Sequence, residues 1–348
     1  MTSTNGDATQ HGGDRSSAGK FLTIWNVSSG SRRRAPALTL ALGVYARADD
    51  LRLSPSNQQK EARPPVLFLP EVLDPYNRFT LPPGFSADGR TMFFSQTECL
   101  PIWQCPQRLK RIDKTSSGWT APRLVPLPQD ARGEAPSVTP DGRYLLFSWA
   151  ATRPEHPEVA VNDNFDLWRL DLTVPGAAPE PLRGPDLNRP RAGRVKTLRY
   201  VHNETAPSLT TEGDLYFWTE RLDGVGERDV YVARATSDGG FAKPEPLPAP
   251  INSEGWDDGA WVSADGKLML ITYSNRGGCG GNDLFLSRRI AGRWTEPKNL
   301  GCEVNSAYDD GAGMIIPGSR TLVFMSGRPF PGGQSGAVAL WTVEVEVE

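Results

Sequence analysis

The chain has 348 residues, 38% of them hydrophobic, and carries 35 Gly and 31 Pro, a size suited to one large all-β domain or two ordinary ones. Abundant Gly and Pro favour many short strands joined by tight turns and disfavour long helices. A net charge of -3 gives no basic footprint for nucleic acid or an anionic membrane. No stretch approaches the roughly 18 continuous apolar residues of a spanning helix, so no membrane insertion is expected.

The first 60 residues differ in kind from the rest. Residues 1–20 are polar and rich in Gly, Ser and Thr, without periodicity, and are expected to lack packed structure. Arg32-Arg33-Arg34 then precedes an apolar run, Ala35 to Ala46, and a small-residue site, Ala46-Arg47-Ala48. Basic, short apolar, A-x-A is the order of a secretory signal. The segment 32–48 lies further from Met1 than such a signal does, which suits a translation start near Val27; the alternative is an apolar patch in a tail. The expectation is export to the periplasm or beyond, with 1–60 a disordered tail and 61–348 the folded domain.

Beyond residue 60 one pattern recurs five times: a short strand, a two-residue turn and a strongly apolar strand. It reads FSADGRTMFFS at Phe85–Ser95, SVTPDGRYLLFS at Ser137–Ser148 and SLTTEGDLYFW at Ser208–Trp218. WVSADGKLMLI at Trp261–Ile271 and MIIPGSRTLVFMS at Met314–Ser326 complete the series. The turns begin at residues 88, 141, 212, 265 and 317, about 53 apart except for one surplus of about 18, which falls in the basic, Pro-containing segment 183–200. Asp-Gly between apolar runs marks a hairpin, because Gly accepts positive φ without steric cost.

Two weaker strands follow each hairpin. The third reads FDLWRLDL at Phe165–Leu172, RDVYVAR at Arg228–Arg234 and NDLFLSRR at Asn282–Arg289. The fourth carries an aromatic and then Pro, as in GWTAPRL from Gly118, GFAKPEPL from Gly240 and RWTEPKNL from Arg293. Pro lacks an amide donor and belongs on an edge strand, the outermost of a blade. Four antiparallel strands repeated five times predict a five-bladed β-propeller. The fifth repeat stops after its third strand, Ala337–Val345. Its fourth is expected from RPPVLFLPEVLDPY, starting at Arg63, where Pro65, Glu71, Val72 and Tyr76 match Pro297, Glu303, Val304 and Tyr308 at identical spacing. Residues near 64–70 then complete the last blade and remove an exposed sheet edge.

Four cysteines fall in two groups, Cys99 with Cys105 and Cys279 with Cys302. None forms a CxxC pair and the three histidines are scattered, so no metal site is expected and disulfides are, in keeping with export.

The stretch SNRGGCGGNDLFLSRRIAGRWTEPKNLGCEVNSAYDDGA, Ser274–Ala312, resembles the WD40-like PD40 repeat of TolB-type propellers. Its marks are the S-x-R-G-G loop, the N-D-L-aromatic strand, W-x-E-P-x-N-L-G, V-N-S and D-D-G. The likeness spans about residues 62–348 and is strongest in the last two repeats. It implies a propeller, with six blades as in TolB the alternative to five, and mostly exported interaction modules. Fold alone settles little of function.

Mapped on such a ring, Glu134, Glu204, Asp257, Asp258, Asp309 and Asp310 surround one channel mouth. Arg153, Arg221, Arg276 and Arg328 follow the second strand on the same face. Carboxylates there could hold a cation, leaving room for a channel calcium ion although no cofactor is expected, or cleave a glycoside; arginines could clamp an acidic group. The competing role is structural, since these residues recur with the repeat. His202, beside Glu204, breaks the symmetry and is a proton-transfer candidate. Tyr76, Tyr308 and Trp256 suit sugar stacking or blade packing, and Asp166, Asp229 and Asp283 suit hydrogen bonding to backbone amides. Gly333 to Ala337 lacks the final Gly and context of a nucleophile elbow. The favoured function is a monomeric, non-enzymatic module binding a protein, peptide or saccharide; the alternative is a five-bladed glycosidase.

Overall fold

The computed structural model describes residues 63–346, apart from 158, 163, 190–202 and 275. The tail 1–60 with its signal-like segment, most of the 183–200 surplus, and His202 lie outside the described residues.

Five antiparallel sheets follow one another as the blades of a propeller. Blade 1 places Phe79–Thr80 and Gly84–Phe85 innermost, then Thr91–Thr97, Arg108–Thr115 and Arg123–Leu124, with Gly118–Trp119 as a short return. Blade 2 runs Gly133–Val138, Tyr144–Trp149, Asp166–Asp171 and Glu180–Pro181. Blade 3 runs Glu204–Leu209, Leu215–Thr219, Asp229–Ala233 and Glu245–Pro246. Blade 4 runs Asp257–Val262, Leu268–Ser274, Asn282–Ile290 and Lys298–Asn299, with Arg293–Trp294 as its return. Blade 5 runs Asp310–Ile315, Thr321–Ser326 and Ala339–Glu344, and its outermost strand is Val66–Leu67.

The hairpin turns form as their sequences require. Gly89, Gly142, Gly213, Gly266 and Gly318 all have positive φ, between 66° and 87°. In three of them a hydroxyl two residues before the Asp locks the turn: Ser86, Thr139 and Ser263 donate to Asp88, Asp141 and Asp265 at 2.5–2.6 Å. The same carboxylates accept the backbone N–H of Arg90, Arg143 and Lys267. Each carboxyl that titrates in these turns is thereby held below its usual range.

Burial follows the two-residue period of a strand covered on both faces. In the second strand of blade 2, Leu145 and Phe147 join the cluster that contains Phe93 and Leu109 of blade 1. Leu146, between them, joins Leu215 and Phe217 of blade 3. In blade 4, Met269 and Ile271 pack with Tyr216 and Val230 of blade 3, while Leu270 packs with Ile315 and Phe324 of blade 5. A fifth cluster joins Met314 and Val323 of blade 5 to Met92 and Phe94 of blade 1. The five clusters among the described residues are thus the five blade-to-blade interfaces. Each fully buried apolar side chain contributes about 1.5–3 kcal/mol. That outweighs the surface ion pairs, worth about 0–1 kcal/mol each.

The ring closes as the sequence predicts. Val66 pairs with Thr342 and Leu67 with Trp341, antiparallel, and Phe68 donates its N–H to Leu340 O at 2.8 Å. Cys99 is bonded to Cys105 and Cys279 to Cys302, with Cα atoms 5.8 and 5.6 Å apart. The first bridge pins the loop after Thr91–Thr97. The second ties the loop before the third strand of blade 4 to the exit from that blade's fourth.

Candidate functional site

Four inner strands carry the same irregularity, and it sorts the acids. Register shifts between Glu134 and Ser137, Thr205 and Ser208, Asp258 and Trp261, and Gly311 and Met314. At each shift one residue takes positive φ: Ala135, Ala206, Gly259 and Ala312. A bulge of this kind bends the strand and re-aims its side chains. The inner strand also has one edge without a ladder partner, which is why Pro136 and Pro207 sit at the bulge without breaking a hydrogen bond.

Two adjacent slots precede the bulge, on opposite faces. Glu204, Asp257 and Asp310 share the first slot and are 0% exposed. Glu134 and Asp258 share the second and line the central cavity. The six acids placed at one channel mouth by the repeat therefore do not converge. Asp309 stands apart from both slots, exposed in a separate groove, where it accepts the N–H of Asn282 at 3.1 Å.

The first-slot acids are tied into the blades. Glu204 accepts from Arg221 at 2.7 Å, with both side chains wholly buried. Asp310 accepts from Arg328 at 2.7 Å and from Ser306 Oγ at 2.7 Å. Asp257 accepts from the N–H and Oγ of Ser253 instead. Burial pushes its carboxyl up to about 6, opposed by those two bonds. Burial likewise raises Glu204, opposed by the Arg221 guanidinium.

The four arginines serve a common purpose. The Nη2 groups of Arg153, Arg221, Arg276 and Arg328 donate to the carbonyls of Asn188, Asp186, Pro250 and Val304; Arg153 thus holds the segment leaving its own blade, and the other three hold the segment leaving the blade before. Each of those segments also carries an asparagine that grips the third strand. Asn188, Asn252 and Asn305 accept the N–H of Leu167, Val230 and Leu284 and donate back to the same residues' carbonyls. The sequence motif V-N-S held this clamp, but its partner lies some 21 residues upstream in the third strand, beyond any local pattern. Among the third-strand aspartates, Asp229 accepts the N–H groups of Val225 and Gly226, and Asp283 that of Cys279. Asp166 pairs with Arg153 at 2.7 Å.

The central cavity, about 340 Å³, is walled by Ile102, Trp218, Trp261, Met314 and Met325. At its polar end Arg228 bridges Asp258 and Glu220, each at 2.8 Å, and stacks over Trp218 and Trp256 with its guanidinium 4.8 and 4.3 Å from the ring centres. The sequence reading missed Arg228 and Trp218. Arg228 immediately precedes the repeated Asp229, where blade 4 has Asn282, and that break in the repeat was the available signal. Glu134 faces the same cavity, and burial raises its carboxyl against the opposing pull of Arg132 and Arg228.

A separate groove of about 600 Å³ runs along Glu227, Trp256, Ser274, Arg276, Asn282 and Asp309. Trp256 is 39% exposed there and donates its indole N–H to Glu227. Tyr308 and Tyr76 are exposed as well, Tyr76 meeting Phe330 edge-on at 5.7 Å. Among the described residues no three His, Cys, Asp or Glu side chains group as metal ligands.

No family model and no curated protein matches the chain. Solved structures do. TolB from Acinetobacter baumannii is similar at 15% identity and a TM-score of 0.44, covering 76% of this chain and 55% of that one, so this chain spans little more than half its length. The putative TolB from Agrobacterium tumefaciens is similar at 16% identity and a TM-score of 0.44, covering 78% and 91%. A Dyadobacter fermentans protein of unknown function is similar at 14% identity and a TM-score of 0.43, covering 82% and 99%. At these identities the likeness carries nothing about this chain's chemistry, and the propeller rests on its own five sheets.

Proposed function

We propose that this chain is an exported, non-enzymatic binding module that holds a peptide or saccharide in the groove beside Trp256. The observation that carries the reading is the engagement of the repeat's carboxylates. Glu204, Asp258 and Asp310 each face a guanidinium at 2.7–2.8 Å, and Asp257 is turned into its blade. A glycosidase needs two carboxyls set across one pocket at about 5–9.5 Å, one of them free to give a proton. In the central cavity only Glu134 is without an ion pair among the described residues, and the acid beside it, Asp258, is held by Arg228; one unpaired carboxyl suits a binding scaffold better than that two-acid chemistry.

The groove offers what an extended polar ligand requires. Trp256 gives a partly exposed ring, and the exposed carboxylate of Asp309 and the amide of Asn282 lie along the same wall. Two disulfides support an oxidising compartment and thus export. A thermal-shift screen of glycans and peptides tests the reading, because a ligand of the folded state raises its melting point. We expect a hit whose shift disappears in Trp256→Ala, and no cleavage of any glycoside. Glycoside turnover that survives purification contradicts it. N-terminal sequencing of the mature protein from the periplasm or medium tests export.

A further inference from the structure

The central cavity shares no lining residue with the groove and is chemically different from it. Its walls are largely apolar, and its charge is gathered at one end. There Arg228 is already satisfied by Asp258 and Glu220. Glu134 accepts no hydrogen bond and forms no ion pair among the described residues, although burial makes its charge costly and Asp258 repels it. Among the described residues, the charged groups that act on Glu134 are the guanidiniums of Arg132 and Arg228 and the carboxylate of Asp258, the last two paired with each other. In the slot of Glu134, blade 3 carries Thr205 and blade 5 Gly311, while blade 4 carries Asp258, whose charge Arg228 already holds. Around it the wall is built from Ile102, Trp261, Met314 and Met325. Ile102 is carried on the loop that Cys99 and Cys105 pin in place.

We propose that this cavity binds an organic cation, an ammonium or guanidinium on an apolar stem, with the charge against Glu134 and the stem along Trp261, Met314 and Met325. The volume, about 340 Å³, lies at the small end of ligand pockets and suits one such stem rather than a folded partner. A cation supplies the charge that Glu134 lacks, and the buried setting strengthens the pairing relative to water. Methionine and tryptophan suit the rest, since the thioether adapts to an irregular stem and the aromatic face attracts a cation passing it. The same chemistry is offered by a free amine and by a lysine or arginine side chain of a peptide. The site does not depend on the groove reading and survives its failure.

The test is calorimetric titration of the full folded chain with 1-aminohexane and butylguanidine, against hexanol, hexanoate and calcium chloride. The two cations are expected to saturate one site, with hexanol and hexanoate at least tenfold weaker. Glu134→Gln is expected to weaken the cations at least tenfold, and affinity to fall as acid protonates Glu134. Met314→Trp fills the cavity from its apolar wall and is expected to abolish binding with every charge in place, so the test does not hang on one variant folding. Tighter binding of a short peptide with a blocked N-terminus and one free lysine side chain than of 1-aminohexane assigns the ligand to peptides, and the reverse assigns it to free amines. The proposal is overturned if neither cation saturates a site, if hexanoate or calcium binds as well, or if Glu134→Gln binds the cations as the parent does.

Discussion

Two neighbouring positions on the inner strands have opposite fates, although the repeat presents them as one acidic pair. Glu204, Asp257 and Asp310 turn into the blades, where guanidiniums and serine groups hold them. Glu134 and Asp258, one residue on, face the cavity. The bulge that follows sets the boundary, and a strand alternates faces at every residue, so one step separates scaffold from site. An acid that recurs with the repeat is best read as a tie between elements. The informative one, Glu134, shares its slot with one other acid, Asp258, and differs from it in having no guanidinium partner among the described residues.

That contrast predicts its largest effect at Arg221. Its removal as Arg221→Met leaves Glu204 buried without its counter-charge, and is expected to cost about 3–5 kcal/mol in urea unfolding. The pair of changes Glu204→Leu with Arg221→Met is expected to recover most of that loss. A double variant as unstable as the single one breaks the assignment of the first slot to a paired charge.

The disulfides sharpen the same division between ties and walls. Cys279–Cys302 spans 23 residues, and replacing both by Ser is expected to cost about 3 kcal/mol from loop entropy. Cys99–Cys105 spans only 6, so its loss is expected to cost nearer to about 2 kcal/mol. It should instead weaken cation binding more than the other bridge does, because Ile102 lies on its loop and on the cavity wall.

A smaller effect is expected from pH at Asp257. Burial lifts its carboxyl from 3.8 to about 6, so the folded chain holds a proton there that the unfolded chain has released. Its contribution is complete below about pH 4 and is lost as the pH rises through 6, with a slope of at most about 1.4 kcal/mol per pH unit. The difference in urea midpoint between the parent and Asp257→Asn, followed from pH 4 to 6.5, is expected to change in that sense.

Much of this fold was legible along the chain. Each hairpin carries its own turn chemistry in a few consecutive residues, and the match of Glu71, Val72 and Tyr76 to Glu303, Val304 and Tyr308 announced the closing strand. The site was less legible because it depends on register. Nothing local in Asp257-Asp258 says which carboxylate faces the cavity; the left-handed Gly259 and the pairing across to Thr272 and Tyr273 decide it. Arg228 and Trp218 were missed because their shared partners lie in another blade or come together only when the third strand docks.

Urea unfolding of Glu134→Gln beside Glu204→Gln, at neutral pH, tests the division of the two slots most directly. Glu134→Gln is expected within about 0.5 kcal/mol of the parent or above it, because no partner is lost. Glu204→Gln is expected to lose about 3 kcal/mol or more, because Arg221 is left without its counter-charge. Equal losses in the two variants contradict the account, for then both carboxylates hold the blades together and no acid is left for a ligand.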